Sequence, residues 1–267
     1  MPMMYPLRNP DLRHWPAEDD SLRRRVAIGH ALRMPGYERA VWGDQVRRPH
    51  SLFLARKADD RWEAFGAGKP NPSISWLLGG QLKAELVLVG PPAWHEAVAK
   101  RGGTAQFGQL ETWIQTDPGR PPAAGPPGTE ALVRPIAWDE KAAFLALAPP
   151  WALRAWRAFE LALAESPMFA IPHRDGSGFA SMAWVCETDN QHASIGVATD
   201  ERYRGLGLGR AVARALIGAL QAGPAHQRRL PAWFTEAENA PSRALAESLG
   251  FRHQRSEPLA RWRALTA

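Results

Sequence analysis

Cysteine is nearly absent from this chain: Cys186 is the single copy in 267 residues. One thiol excludes an internal disulfide and any cysteine-based metal cluster, and no metal is expected. Uninterrupted apolar runs of about 18 residues are also missing, so no transmembrane helix and no membrane partner are expected. The opening residues Met1-Pro2-Met3-Met4-Tyr5-Pro6 lack a basic region followed by an apolar one, so no secretory leader is visible and a cytoplasmic location is the expectation. Charge of one sign is scarce too, since 33 basic and 27 acidic residues leave a balance of +6. The densest basic clusters, Arg23-Arg24-Arg25, Arg47-Arg48 and Arg228-Arg229, are short. The 12 tryptophans do not interleave with basic residues as a base-stacking surface requires, so no nucleic-acid partner is expected. Trp151 and Trp156 are assigned to the core or to the wall of a pocket for an apolar substrate.

What remains is an ordinary globular composition, 45% hydrophobic and 22% charged, long enough for one large domain or two smaller ones. Residues 121–128 hold four prolines and two glycines, which sustain neither helix nor central strand and read as a linker. It separates an N-terminal α+β domain, 1–120, from a second domain, 129–267. In the first, the patterning predicts helices over 20–32 and 92–100 and strands over 51–55, 73–78, 85–89 and 112–116. Gly66-Ala67-Gly68 and Gly79-Gly80 read there as turns. In the second, strands are expected over 131–136, 168–172, 179–186, 193–199, 232–235 and near 259–264, with helices over 139–147 and 151–165.

The most informative segment is 195–220, where a β-like run enters a loop with glycine at every second position and then an amphipathic helix. Gly205, Gly207 and Gly209 leave the backbone unscreened, so amide N–H groups can converge on an anion at the positive end of the helix dipole. Leu208, Val212, Ala215, Leu216, Ala219 and Leu220 fall on one helix face, which suits packing on a sheet. Spacing excludes two common phosphate loops. A dinucleotide fingerprint finds Arg210 or Val212 where its last glycine belongs, and a Walker loop lacks Gly-Lys-Ser/Thr. The spacing that fits is R-x-x-G-x-G, at Arg204, Gly207 and Gly209.

With that motif the chain resembles the GNAT superfamily of acetyl-CoA-dependent N-acetyltransferases. A second block, Asn239 to Phe251, is similar to the family's late helix, which begins after Asn and ends in Leu-Gly-Phe. The resemblance implies an α/β (α+β) fold, a mixed and mostly antiparallel sheet flanked by helices, over about 129–265. It implies acetyl-CoA as co-substrate, held by Arg204, Gly205, Leu206, Gly207, Leu208, Gly209 and Arg210, with Val197 serving the oxyanion and Thr199 the pantetheine arm. It also implies a small-molecule amine as partner. The N-terminal domain is read as a degenerate copy of the same fold that covers substrate or supports a homodimer.

Acetyl transfer asks the protein to orient an amine, remove its proton and stabilise an oxyanion. The usual acid–base pair of the family is missing, because the strand before the loop reads His192-Ala193-Ser194-Ile195 and Ala246 stands where relatives carry a tyrosine. Glu236 is the first candidate base and Glu187 the second, each acting through water. Asn239 and Ser242 are expected at the CoA arm or its sulfur, with helix capping as the competing role. A non-catalytic acyl-CoA-binding regulatory protein is the rival reading.

Overall fold

The computed structural model describes residues 5–6, 21–33, 39–43, 51–58, 61–71, 85–100, 104–115, 128–153, 155–156, 158–222 and 228–263. In chain order the elements are β1 (Tyr5–Pro6), α1 (Leu22–Arg33), β2 (Arg39–Gly43), β3 (Ser51–Ala58), β4 (Arg61–Gly68), β5 (Glu85–Val89), α2 (Pro92–Ala99) and β6 (Thr104–Gln115). There follow β7 (Arg134–Pro135), α3 (Lys141–Leu147), α4 (Phe159–Glu165), β8 (Phe169–Pro172), β9 (Phe179–Thr188) and β10 (His192–Thr199). The last are α5 (Leu208–Ala222), β11 (Leu230–Glu236), α6 (Ala240–Ser248) and β12 (Phe251–Arg263). Two compact units emerge, and neither is contiguous. The first comprises Met1–Glu111, Glu236–Glu238 and Arg255–Ala267, and the second comprises Thr112–Thr235 and Asn239–Gln254. The predicted strand at 73–78 and the linker residues 121–127 lie outside the described residues.

In the first unit, Ser21 starts α1 by accepting a hydrogen bond from the Arg24 amide at 3.2 Å. Val26, Ala27, Ile28 and Ala31 are wholly buried, and three of them pack with Leu54, Phe65, Val89 and Leu259. The alternate strand positions Phe53, Ala55, Ala64, Leu86 and Leu88 form a second cluster with Trp94 and Val98 of α2. Strand alternation thus gives each face its own helix. The turn expected at Gly66-Ala67-Gly68 is instead the end of β4. A β-carbon on Gly66 would lie 2.3 Å from the Trp94 ring, so this glycine makes room for an indole and not for a bend. Trp94 in turn donates its N–H to the Gly68 carbonyl at 2.8 Å.

The same pairing order occurs twice. β1–β2, β2–β3 and β3–β4 are antiparallel and β4–β5 is parallel. β7–β8, β8–β9 and β9–β10 are antiparallel and β10–β11 is parallel. No repetition is visible in the residues themselves, because each unit fills the pattern with different apolar side chains.

In the second unit α5 buries Leu208, Ala211, Val212, Ala213, Leu216, Ile217 and Leu220. The buried arc is therefore shifted from the expected face, and Ala215 and Ala219 are only half-buried. The helix expected over 151–165 is confined to Phe159–Glu165. Two indoles explain the difference: Trp184 donates to the Ala152 carbonyl at 3.1 Å, and Trp156 to the Val185 carbonyl at 2.7 Å. Tertiary hydrogen bonds of this kind bind Ala152 and Trp156 to β9 in place of a helical ladder. β9 also carries a bulge, since the register steps from Ser194↔Glu187 to Ile195↔Val185 and leaves Cys186 over. Among the described residues no helix is long and apolar enough to cross a membrane.

Candidate active site

The glycine-rich loop has the backbone its sequence implies. Gly205 and Gly207 both hold φ at 78°, a left-handed value that disfavours any residue with a β-carbon. Gly209 serves differently, because it lies inside α5 with an ordinary φ. A β-carbon there would meet Thr199 Oγ1 at 3.2 Å and Val197 Cγ1 at 3.5 Å, so its absence lets the first turn of α5 rest on β10. The first helical bond in this turn runs from the Ala211 amide to the Gly207 carbonyl. The N–H groups just before Ala211 are the orphan donors of a helix start, free of intrahelical acceptors.

Beside this terminus the sheet opens. β10 and β11 run parallel, paired at His192↔Leu230, Ala193↔Pro231 and Ser194↔Ala232. Past Ser194, β10 pairs on through Val197↔Ala183 and Thr199↔Ser181, but only with β9. Val197 and Thr199 thus flank an opening on their β11 side. Thr199 Oγ1 lies 2.9 Å from Ser181 Oγ, and Ser181 donates its own proton to the Ala198 carbonyl, so Thr199 is the donor between them. Ser181 was not singled out by the sequence, where a serine inside a strand carries no signal.

The cationic residues divide. Arg204 is exposed and paired with Glu201 at 3.1 Å, a contact worth little in water. Arg210 is partly buried, and its Nε donates to Ser248 Oγ at 3.2 Å, which fixes the guanidinium plane at the α5 start. Leu206 is exposed, whereas Leu208 is buried in the helix. Upstream, Asp200 caps the turn Glu201–Tyr203 by accepting from the Arg202 amide at 3.0 Å. The Arg202 guanidinium, at 2.8 Å, and that amide hold the Asp200 carboxyl down at about 2. His173 faces the same turn, its ring 5.1 Å from that of Tyr203.

At the late helix, Asn239 is the cap, its Oδ1 accepting from the Ser242 amide at 3.2 Å. Ser242 Oγ accepts from the Trp233 indole at 3.0 Å and keeps its own proton to donate. The competing role, capping, is therefore present in the structure for Asn239. Ala246 is wholly buried and offers only a methyl group at that position. Both oxygens of Glu236 accept from Arg261 Nη2, at 2.5 and 2.6 Å, and both residues belong to the first unit. Glu187 belongs to the second unit, is buried, and stands opposite Ser194, the last β10 residue paired before the opening. Among the described residues no cluster of His, Cys, Asp and Glu could hold a metal ion.

The strand pair parts beside a glycine-hinged helix start, and over this region the chain is similar to known acetyltransferases. Residues 132–251 match the model of the Acetyltransferase (GNAT) family. A GCN5-related N-acetyltransferase-like protein from Streptococcus suis 89/1591 is 21% identical, with a TM-score of 0.62 over 90% of this chain and 98% of that one. A GNAT-family acetyltransferase from Novosphingobium aromaticivorans DSM 12444 is 26% identical, with a TM-score of 0.54 over 76% and 84%. A tandem GNAT protein from the clavulanic acid biosynthesis pathway is 17% identical, with a TM-score of 0.58 over 91% and 89%. No curated protein matches the sequence.

Proposed function

We propose that the chain is an N-acyltransferase that moves an acetyl group from acetyl-CoA to a primary amine on a small molecule. The observation that carries this reading is the end of β10–β11 pairing at Ser194 beside the bare backbone of Gly209. The residues present fit a CoA pyrophosphate: two left-handed glycines and a helix start supply N–H donors, and Arg210 supplies charge. Acetyl-CoA contributes an acyl group already activated as a thioester. The chain's own residues hold and orient it, with the Val197 backbone assigned to the acyl oxygen and Thr199 to the pantetheine arm. The C–N bond forms as the C–S bond breaks; the amine loses a proton and the sulfur leaves as the thiol. We assign proton removal to Glu187, through water, because it stands opposite Ser194 where β10 parts from β11, within the unit that holds the glycine loop. The first unit, which repeats the strand order of the second, is read as a degenerate acyltransferase-like half that covers substrate or supports a homodimer; the chain as a whole is similar in fold to a tandem GNAT protein.

The buried Ala246 favours one rival, a CoA-binding regulatory protein without turnover. Calorimetry with CoA, joined to a free-thiol assay with acetyl-CoA and a panel of small amines, separates the two. Binding with turnover of at least one amine supports the enzyme. Binding without turnover of any amine supports the regulator.

A further inference from the structure

The two faces of the opening in the second unit differ in chemistry. The β-carbon direction of Gly209 shows that α5 stands on the face bearing Val197 and Thr199. Leu245 of α6 lies 3.7 Å from the same point, so α6 shares that face. Trp233 reaches α6 through its bond to Ser242, which puts the next β11 residue, Phe234, on the opposite face. On β10 the opposite face begins at Gly196, where a β-carbon would lie 2.5 Å from the Trp184 ring and 2.7 Å from Cys186 Sγ. Trp184 is wholly buried, and over it lies Trp151, the ring centroids 5.7 Å apart at 39°. Trp151 itself is 42% exposed although Ala152, beside it, is pinned by the Trp184 indole. Its ring is thus packed on one side and open on the other. Glu187 is the single carboxylate of β9 and β10, and it shares the face of its cross-strand partner Ser194.

An acyl donor held at the α5 start enters the opening from the α5 face. The attacking amine must then come from the other face, because the donor occupies the first. We propose that the acceptor is a primary amine carried on an aromatic or flat apolar group, which stacks on the open side of Trp151 with Phe234 beside the opening. The proposal rests on the acyl-transfer reading above and adds the class of acceptor. A flat apolar group suits an exposed indole that already leans on the Trp184 ring, as an aliphatic diamine or amino alcohol would not.

The test compares phenethylamine with putrescine and ethanolamine, by thiol release with acetyl-CoA and by calorimetry of each amine on CoA-bound protein. Two variants are used, Trp151→Phe, which keeps a ring, and Trp151→Leu, which keeps apolar packing without one. Phenethylamine is expected to exceed both polar amines about tenfold or more in kcat/KM and to bind measurably. Trp151→Leu should erase that margin while Trp151→Phe keeps most of it, with CoA affinity unchanged in both. A preference for putrescine or ethanolamine overturns the aromatic acceptor, as does an undiminished margin in Trp151→Leu or no amine bound or turned over. With CoA binding intact, each of these leaves the CoA site standing. Loss of CoA binding in the wild-type chain overturns both readings.

Discussion

A β-carbon on Gly209 would stand 3.2 Å from Thr199 Oγ1, closer than most such contacts in folded proteins. The first turn of α5 is therefore seated directly on the strand that borders the opening. Thr199 is itself held by Ser181 at 2.9 Å, so the seat has a fixed side chain beneath it. In the acyl-transfer reading proposed above, one joint between loop, helix and strand would set both the phosphate grip and the acyl position.

This joint makes a double-mutant cycle informative. Gly209→Ala gains helix propensity of about 1 kcal/mol but crowds Thr199, and Thr199→Ala removes the crowding atom along with its bond to Ser181. The pair should be non-additive by about 0.5–1 kcal/mol, the double variant being more stable than the sum of the singles. Denaturant midpoints of the four proteins measure it. Additive effects would show that the neighbours yield freely and that the contact is slack.

Gly207 tests the loop itself. Valine at φ 78° carries a strain of about 1–2 kcal/mol, and its side chain blocks close approach of an anion to the backbone. Gly207→Val should lower CoA affinity at least tenfold with the circular dichroism spectrum retained. Gly218→Ala is the control: nothing lies within 4 Å of its would-be β-carbon, so stability should rise by about 0.5–1 kcal/mol and CoA affinity should stay. Unchanged CoA affinity in a folded Gly207→Val protein removes the loop from the binding site.

Ser242 separates support from contact. Ser242→Ala leaves the Trp233 N–H, in a nearly buried indole, without its acceptor at 3.0 Å. An orphaned donor of this kind costs about 1–3 kcal/mol, so the melting temperature should fall. If the hydroxyl also donates to the leaving sulfur, kcat falls too, even well below the melting temperature. A loss of stability with kcat retained confines Ser242 to holding Trp233.

Much of this was legible because glycine and proline act locally. Gly205, Gly207 and Gly209 marked a loop of bare backbone before a helix, and the block from Asn239 marked a late helix beginning after Asn, so both stand where the residues put them. What could not be read depended on distant partners. Gly66 resembled a turn until Trp94, 28 positions on, was seen to lie against it. The segment 151–156 has helical composition, but the two indole bonds that join Ala152 and Trp156 to β9 overrule local preference. The repeated strand order left no trace either, since pairing direction is a property of the fold and many apolar sequences satisfy it.

Asp200 predicts an acid dependence. Its carboxyl is lowered from 3.8 to about 2 by the Arg202 side chain first and the Arg202 amide second. A depressed carboxyl contributes its stability in full above the unfolded value and loses it as pH falls through the folded one. The capped turn before Arg204 should therefore weaken between about pH 4 and pH 2, and not near neutrality. Titration followed by NMR should place the Asp200 midpoint at about 2, and Arg202→Ala should move it toward the ordinary carboxylate value. A midpoint unmoved by that substitution would show that the amide alone holds the charge.

The choice between Glu187 and Glu236 decides how the amine loses its proton. Glu187 stands opposite Ser194 at the point where β10 parts from β11, within the unit that holds the glycine loop. Glu236 spends both oxygens on Arg261 and is grouped with the first unit. General-base catalysis is typically worth about a hundredfold or more. Glu187→Gln should accordingly depress kcat by that order and remove the acidic limb of the pH–rate profile while CoA affinity stays near the wild-type value. Glu236→Gln should keep the limb and lower stability slightly, because only a partly exposed ion pair is lost. The opposite pattern returns the role to Glu236. If both variants keep the profile and lose only a few-fold in kcat, the amine arrives already deprotonated and orientation at the opening carries the reaction.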